Sequence, residues 1–392
     1  MPRCSKLRPV PRRWIAPLLA GLLLASLLRP PSPPPPPALA VRSLSSASAA
    51  AGCPAFRIGL GDDPGRLIDG DDPEAPPVLA ALRPDLVVAW FNGYRDPASG
   101  TVRGDLLYFH HWAAAGRFAQ WAAQGYDLMI ITWENYDGQS VHYGPPTRGD
   151  YHISSQVVQD VRALAALLSA YPRTVYFVLA TEFSTYPACR YDPACADPLA
   201  YSDRYNATTA EYYEALIPRL MEAMAAIRSE MPQAQVGIGF GGWLATFDVN
   251  TPAEQAGRSL IRLFHPLIAQ SDWIFFQSMI GRLPHENGGL GNPDQIQINV
   301  EFFSAYGKPI GLAHYNAGLP GHERLDVMRD DLLRMRNPAW IREMWRKGLR
   351  MFAFMAYGPM KYNEDGIRDL AVDFIGRSRA ALSCAYLPLL RR

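Results

Sequence analysis

A surplus of either charge is missing from this chain: 38 Lys and Arg stand against 37 Asp and Glu over 392 residues, a formal net charge of +1. Near neutrality supplies no field to draw in a polyanion. No basic patch interleaved with aromatics occurs, and no phosphate-cradling glycine loop of the P-loop kind, so nucleic acid is set aside as a partner. Cysteine is scarce, five in all, with no Cys-x-x-Cys and no paired-His spacing, so no metal is expected. His110 and His111 are adjacent and would point apart in a regular segment. The apolar run from Trp14 to Leu28 falls short of the about 20 residues a membrane span needs. It follows a basic stretch (Arg3, Lys6, Arg8, Arg12, Arg13) and suits a signal peptide, with Ala38-Leu39-Ala40 as the cleavage pattern. An uncleaved anchor on the stiff Pro31–Pro37 stem is the alternative, and the only membrane association expected. Either way the protein is exported, secreted or held at the cell surface.

Apolar residues are abundant, 48% of the chain, and they are grouped. Residues 1–40 are leader and Pro-rich stretch, 41–52 low-complexity linker, and 53–392 one domain, with no Pro/Gly/Ser-rich break inside it. Eight short runs recur there: Phe56–Gly61, Asp85–Phe91, Tyr126–Trp133, Thr174–Ala180, Gln235–Phe240, Asp272–Phe276, Pro309–Ala313 and Met351–Ala356. Rich in Val, Ile, Leu and Phe with little alternation, they suit strands buried on both faces of a parallel sheet. Helical periodicity follows at Val157–Ala170, Ala210–Ser229, Ala253–Ala269, Leu325–Lys347 and Ile367–Leu382. Thr208 or Thr209 is the expected cap of the second of these. The alternation predicts an α/β fold, a single (β/α)8 TIM barrel whose chemistry sits on loops after the strands. Two such loops are long, Asn92 to His111 and Phe183 to Ala207.

Apart from Cys4 in the leader, four cysteines remain, an even number that favours disulfides in an exported chain. Cys189 and Cys195 share the loop after the fourth strand. Cys53 precedes the first strand and Cys384 follows the last helix, which are neighbours in a closed barrel. The expected pairs are Cys189–Cys195 and Cys53–Cys384.

Polar and aromatic residues close each run. The first ends in Asp62-Asp63, the second in Trp90-Phe91-Asn92, the third in Trp133-Glu134-Asn135-Tyr136-Asp137 and the fourth in Thr181-Glu182-Phe183. The fifth runs into Gly241-Gly242-Trp243, the sixth into Gln277, the seventh into His314-Tyr315-Asn316 and the eighth into Tyr357. Aromatic faces stack on sugar rings, while amides and carboxylates bond hydroxyls. Asp62, Trp90, Asn92, Trp133, Trp243, Gln277, Tyr315, Asn316 and Tyr357 are therefore the expected carbohydrate contacts. Plainer alternatives are burial under a loop for Trp133 and Trp243, a turn before Pro64 for Asp62 and Asp63, a stabilising ion pair for Glu182, the start of a solvated loop for Glu134 and a hydrogen-bonded rim histidine for His314.

With these residues in view, the domain resembles the retaining glycoside hydrolases of the large barrel clan that includes mannanases, cellulases and β-galactosidases. The resemblance implies an acid/base Glu at the end of strand four, where Tyr176-Phe177-Val178-Leu179-Ala180-Thr181-Glu182 supplies Glu182. It also implies a nucleophilic Glu at the end of strand seven. There the stretch Gly307-Lys308-Pro309-Ile310-Gly311-Leu312-Ala313-His314 carries His314 instead.

Three readings stand open. In one, Glu182 is a general acid paired with Glu134 or Asp62, and the carboxyl separation sets retention or inversion. In another, the barrel binds glycans without catalysis. In the third, His314 is a base oriented by Glu182 or Glu134. All three take a carbohydrate partner, no cofactor and a monomeric chain.

Overall fold

A computed structural model describes residues 56–62, 67, 72–91, 93–95, 102–104, 106–132, 156–180, 207–242, 244–245, 260–319 and 321–382. Eight parallel strands close on themselves in the order β1-β8-β7-β6-β5-β4-β3-β2. They are β1 (Arg57–Asp62), β2 (Leu86–Phe91), β3 (Asp127–Thr132), β4 (Val175–Leu179), β5 (Gln235–Phe240), β6 (Trp273–Ser278), β7 (Ile310–Tyr315) and β8 (Leu349–Phe354). The fold is a single (β/α)8 barrel. Each strand lies within two residues of its expected run at both ends, but β6 and β7 extend two residues further than expected. That extension brings Gln277 and His314 into the sheet.

Both faces of the sheet are apolar because one meets helices and the other fills the lumen. Val87, Ala89 and Phe91 of β2 join the outer layer, while Leu86, Val88 and Trp90 turn inward with Met129, Ile131, Val178 and Phe275. Large aromatics fit the narrow lumen because glycines face them. A Cβ on Gly237 would lie 3.0 Å from the Phe275 ring, and one on Gly311 would lie 2.6 Å from it. Phe275 fills the space so made and stacks on Trp273, with ring centroids 5.7 Å apart.

The strand N-terminal ends are held by a recurring aspartate. Asp85 accepts a hydrogen bond from the Ile58 N–H at 2.8 Å, Asp127 from Thr174 at 3.3 Å and Asp272 from Val236 at 2.9 Å. Each therefore ties its own strand to a neighbour, and each carries an arginine: Arg379 on Asp85, Arg57 and Arg173 on Asp127, and Arg228 on Asp272. This end of a barrel is where stability is built.

The helices are α1 (Ala75–Leu82), α2 (Leu106–Ala114), α3 (Arg117–Ala123), α4 (Gln156–Leu168), α5 (Ala207–Glu230), α6 (Leu260–Leu263), α7 (His265–Gln270), α8 (Asn292–Ser304), α9 (Leu325–Met335), α10 (Pro338–Arg346), α11 (Gly358–Lys361) and α12 (Ile367–Ala381). Several differ from expectation. The stretch Leu325–Lys347 is two helices, because Pro338 lacks an N–H and starts a new helix. Asn337 caps that helix by accepting from the Ala339 N–H at 2.9 Å. A similar break falls at Phe264, ahead of Pro266. Thr208 and Thr209 lie inside α5, which begins at Ala207, so neither is its cap. The loop after β2 is shorter than expected: it holds an antiparallel ribbon, Gly93–Arg95 with Val102–Gly104, and gives way to α2, which carries His110 and His111. No helix among the described residues is long and apolar enough to cross a membrane.

Candidate active site at the strand ends

In β7 one residue too many stands opposite its neighbours. Phe276 and Gln277 of β6 pair with Leu312 and His314, and Phe352 and Phe354 of β8 pair with Leu312 and Tyr315. Ala313 is the extra residue, a β-bulge that breaks the alternation of side chains. Leu312 and Tyr315 both join the outer layer, whereas Ala313 joins the lumen cluster. The His314 ring then reaches Trp90, at 5.5 Å between centroids and a tilt of 52°. Since β2 and β7 are separated by β1 and β8, this contact spans the lumen. His314 is fully buried, and that burial pushes its pKa down to about 3, so the imidazole is neutral at physiological pH.

Gln277 stands beside His314 in register and continues the inward face of Trp273 and Phe275. It is 2% exposed, and its Oε1 accepts no hydrogen bond among the described residues. Asn316, just past β7, donates its backbone N–H to the Ser278 carbonyl at 3.1 Å and its side-chain amide to Glu323 at 3.4 Å. Two expected contacts face elsewhere. Tyr315 packs outward against Phe352 and Phe354 and donates its hydroxyl to Asp331 at 3.1 Å. The bulge is the cause, because it restores the outward phase one residue late. Tyr357 is buried in the outer layer and donates to Asp72, which also holds Lys361 at 2.7 Å. The Lys361 and Tyr357 hydrogen bonds hold the Asp72 carboxyl down at about 2.

The backbone at the β4 exit is strained. Ala180 adopts a left-handed conformation, φ 58°, which a residue with a Cβ occupies at a cost. Its N–H is 3.3 Å from the Thr132 hydroxyl of β3, which itself donates to the Val178 carbonyl at 3.3 Å. Such strain concentrates at functional sites, and Thr181-Glu182 follow immediately in the chain. Glu182, Glu134, Trp133, Asn92 and Trp243 lie outside the described residues, as do Cys53, Cys189, Cys195 and Cys384, and of Asp62 only the backbone is described.

Behind β6 and β7 lies a polar layer that strand-end reasoning missed. Asn292 accepts from the Ile280 N–H at 2.8 Å, donates to the Ile280 carbonyl at 3.0 Å and donates to Asp331 at 2.7 Å. Ser278 lies 2.8 Å from both Asn292 Oδ1 and Gln295 Oε1, and Asn299 donates to the Gly242 carbonyl at 2.8 Å. Asn292, Gln295 and Asn299 fall on one buried face of α8. Their spacing of three and four was the available signal, easily taken for a solvated face. Desolvation raises the buried Asp331 carboxyl to about 7, against the pull of Asn292 and Tyr315. The polar layer fixes the exits of β5, β6 and β7 from outside, leaving the lumen side to Gln277 and His314.

A groove of about 510 Å³ lined by Phe118, Ala122, Leu167, Leu168 and Tyr171 lies on the barrel flank between α3 and α4, away from these strand ends. No group of three or more His, Cys, Asp or Glu among the described residues is arranged to hold a metal.

No protein-family model matches the chain, and no curated protein matches it. Solved structures do. A GH5_18 protein from Streptomyces cattleya in complex with GlcNAc aligns with a TM-score of 0.53 at 13% identity, over 84% of this chain and 81% of that one. The endo-1,4-beta-mannanase of Rhizomucor miehei aligns at 0.50 and 14% identity, over 83% and 95%. A GH5-4 broad-specificity endoglucanase from an uncultured bacterium aligns at 0.51 and 12%, over 77% and 84%. The fold is the barrel that glycoside hydrolases use. At these identities the likeness speaks for the fold alone.

Proposed function

We propose that this protein is a carbohydrate-active barrel that hydrolyses glycosidic bonds in an oligo- or polysaccharide, outside the cytoplasm, with Glu182 as general acid. The observation that carries this reading is the strained β4 exit. β3 and β4 are hydrogen-bonded neighbours ending at Thr132 and Leu179, and each is followed within three residues by a glutamate, Glu134 and Glu182. Glycoside hydrolysis requires two carboxyl groups flanking the scissile bond, and glutamates that follow adjacent strands are candidates for such a pair. Ala180, two positions before Glu182, holds a costly left-handed backbone conformation. Glu134 is the preferred second carboxylate and Asp62 the reserve.

His314 enters as a neutral wall. An imidazole with a pKa near 3 is a poor base at neutral pH, which weighs against the reading in which His314 removes a proton. The same residue favours a second reading, glycan binding without turnover, because the seventh strand offers no carboxylate for a covalent intermediate.

The test is a polysaccharide panel run with the wild type, Glu182→Gln, Glu134→Gln and His314→Gln. Glu182→Gln should lower turnover by roughly 10²-fold or more while ligand affinity and melting temperature hold, since Gln keeps the shape and lacks only the transferable proton. His314→Gln should leave the pH profile of turnover in place. Near-normal turnover in Glu182→Gln would transfer the acid role to Glu134. Binding without turnover in the wild type would select the second reading.

A further inference from the structure

We propose that Gln277, His314 and Trp90 form a charge-free recognition surface that accepts an uncharged, hydroxyl-bearing sugar ring and rejects acidic sugars, with Gln277 Oε1 accepting a hydrogen bond from a ring hydroxyl. This rests on the carbohydrate reading and narrows it to a substrate class.

Gln277 carries the argument. Its side chain continues the lumen face of β6 beyond Trp273 and Phe275, is 2% exposed, and keeps an amide oxygen with no donor among the described residues. A buried acceptor left without a donor costs stability. A leucine would fill much the same volume without that cost, so the amide is poorly explained by folding. Its register partner is His314, a neutral imidazole, which in turn meets the Trp90 indole across the lumen.

Charge is absent from this end of the lumen among the described residues. The inward-facing side chains there are Val88, Trp90, Ile131, Val178, Gln277, Ala313, His314 and Met355. The charged pair on the inward face, Arg57 with Asp127, lies at the opposite end, where the strands begin. A carboxylate or sulfate brought against Gln277 and His314 would lose its water and meet no cation. His314 cannot supply one, since burial opposes its protonation. A hydroxyl group brings one hydrogen to donate and little to desolvate, which matches an orphaned amide oxygen. Trp90 adds an apolar face suited to a sugar ring.

The experiment pairs affinity with stability in the full chain. Calorimetric titration of neutral oligosaccharides (manno-, gluco- and xylo-oligomers) and of oligogalacturonides is run on the wild type and on Gln277→Leu, with melting temperatures for both. A neutral oligosaccharide should bind, oligogalacturonides should bind at least tenfold more weakly, and Gln277→Leu should lower the neutral affinity about tenfold or more. The melting temperature of Gln277→Leu should be unchanged or higher, the opposite of what a structural glutamine predicts. Oligogalacturonides binding as tightly as the neutral series would overturn the inference and leave the carbohydrate reading standing. So would unaltered neutral affinity in Gln277→Leu, or a lowered melting temperature. Absence of binding to every saccharide of the panel would remove both.

Discussion

Replacing Asp331 with asparagine should make the barrel more stable at alkaline pH. Asp331 is 1% exposed and accepts hydrogen bonds from Asn292 and Tyr315 through Oδ2, while Oδ1 has no partner among the described residues. Charged groups face it from its own helix: Asp330 disfavours its ionisation, while Arg334, itself bonded to Asp294 of α8, favours it. Desolvation dominates and lifts the carboxyl from 3.8 to about 7. A folded-state pKa above the unfolded one means that the folded protein holds the proton more tightly. The resulting stability is fully present below the unfolded value and is lost as pH rises through about 7. At about 1.4 kcal/mol per unit, the loss between pH 4 and pH 8 is on the order of 4 kcal/mol. Asparagine keeps the accepting oxygen for Asn292 and Tyr315 and cannot ionise. Urea unfolding midpoints at pH 5 and pH 8.5 measure the difference. The wild type should weaken by about 3 kcal/mol between the two, the variant much less, so the gap between the two proteins should widen from pH 5 to pH 8.5. Parallel pH dependence in the two proteins would refute the claim that Asp331 is held protonated by burial.

Gly242→Ala should destabilise the barrel by about 1–3 kcal/mol, because its Cβ would sit 2.2 Å from the Gln277 carbonyl oxygen and 2.7 Å from Gln295 Oε1, both fixed in the layer behind β6. Urea denaturation checks it, and an unchanged midpoint would show that the β5 exit yields. Peptide mapping without reduction should recover Cys53 with Cys384 and Cys189 with Cys195. Crossed pairs would contradict the pairing expected from first and last strands that are neighbours in the barrel.

Much of the fold was legible in the chain. Long-range pairing in a parallel barrel buries both strand faces, so every strand had to be a short, nearly continuous apolar run, and Leu86–Phe91 or Asp127–Thr132 can be read as such without coordinates. The strand-end clusters followed from those boundaries, and so did the placement of Gln277 and His314 near one another. What could not be read is which way a side chain turns once the alternation fails. Ala313 looks like any other strand residue. Its bulge arises only when β7 must match β6 on one side and β8 on the other, and that mismatch turns His314 to the lumen and Tyr315 away from it.

Burial decided the rest. Asp331 in Asp330-Asp331 has the look of a solvated helix face, and Asn292, Gln295 and Asn299 that of an exposed polar stripe. Only packing of α8 and α9 against β6 and β7 takes them out of water and makes their hydrogen bonds mutual. Sequence alone determined that this protein is a barrel and, to within two residues, where its strands end, because local apolar patterning encodes both. Tertiary structure alone decided which strand-end residues face the lumen and which of them are charged there, because orientation and ionisation depend on neighbours far away in the chain.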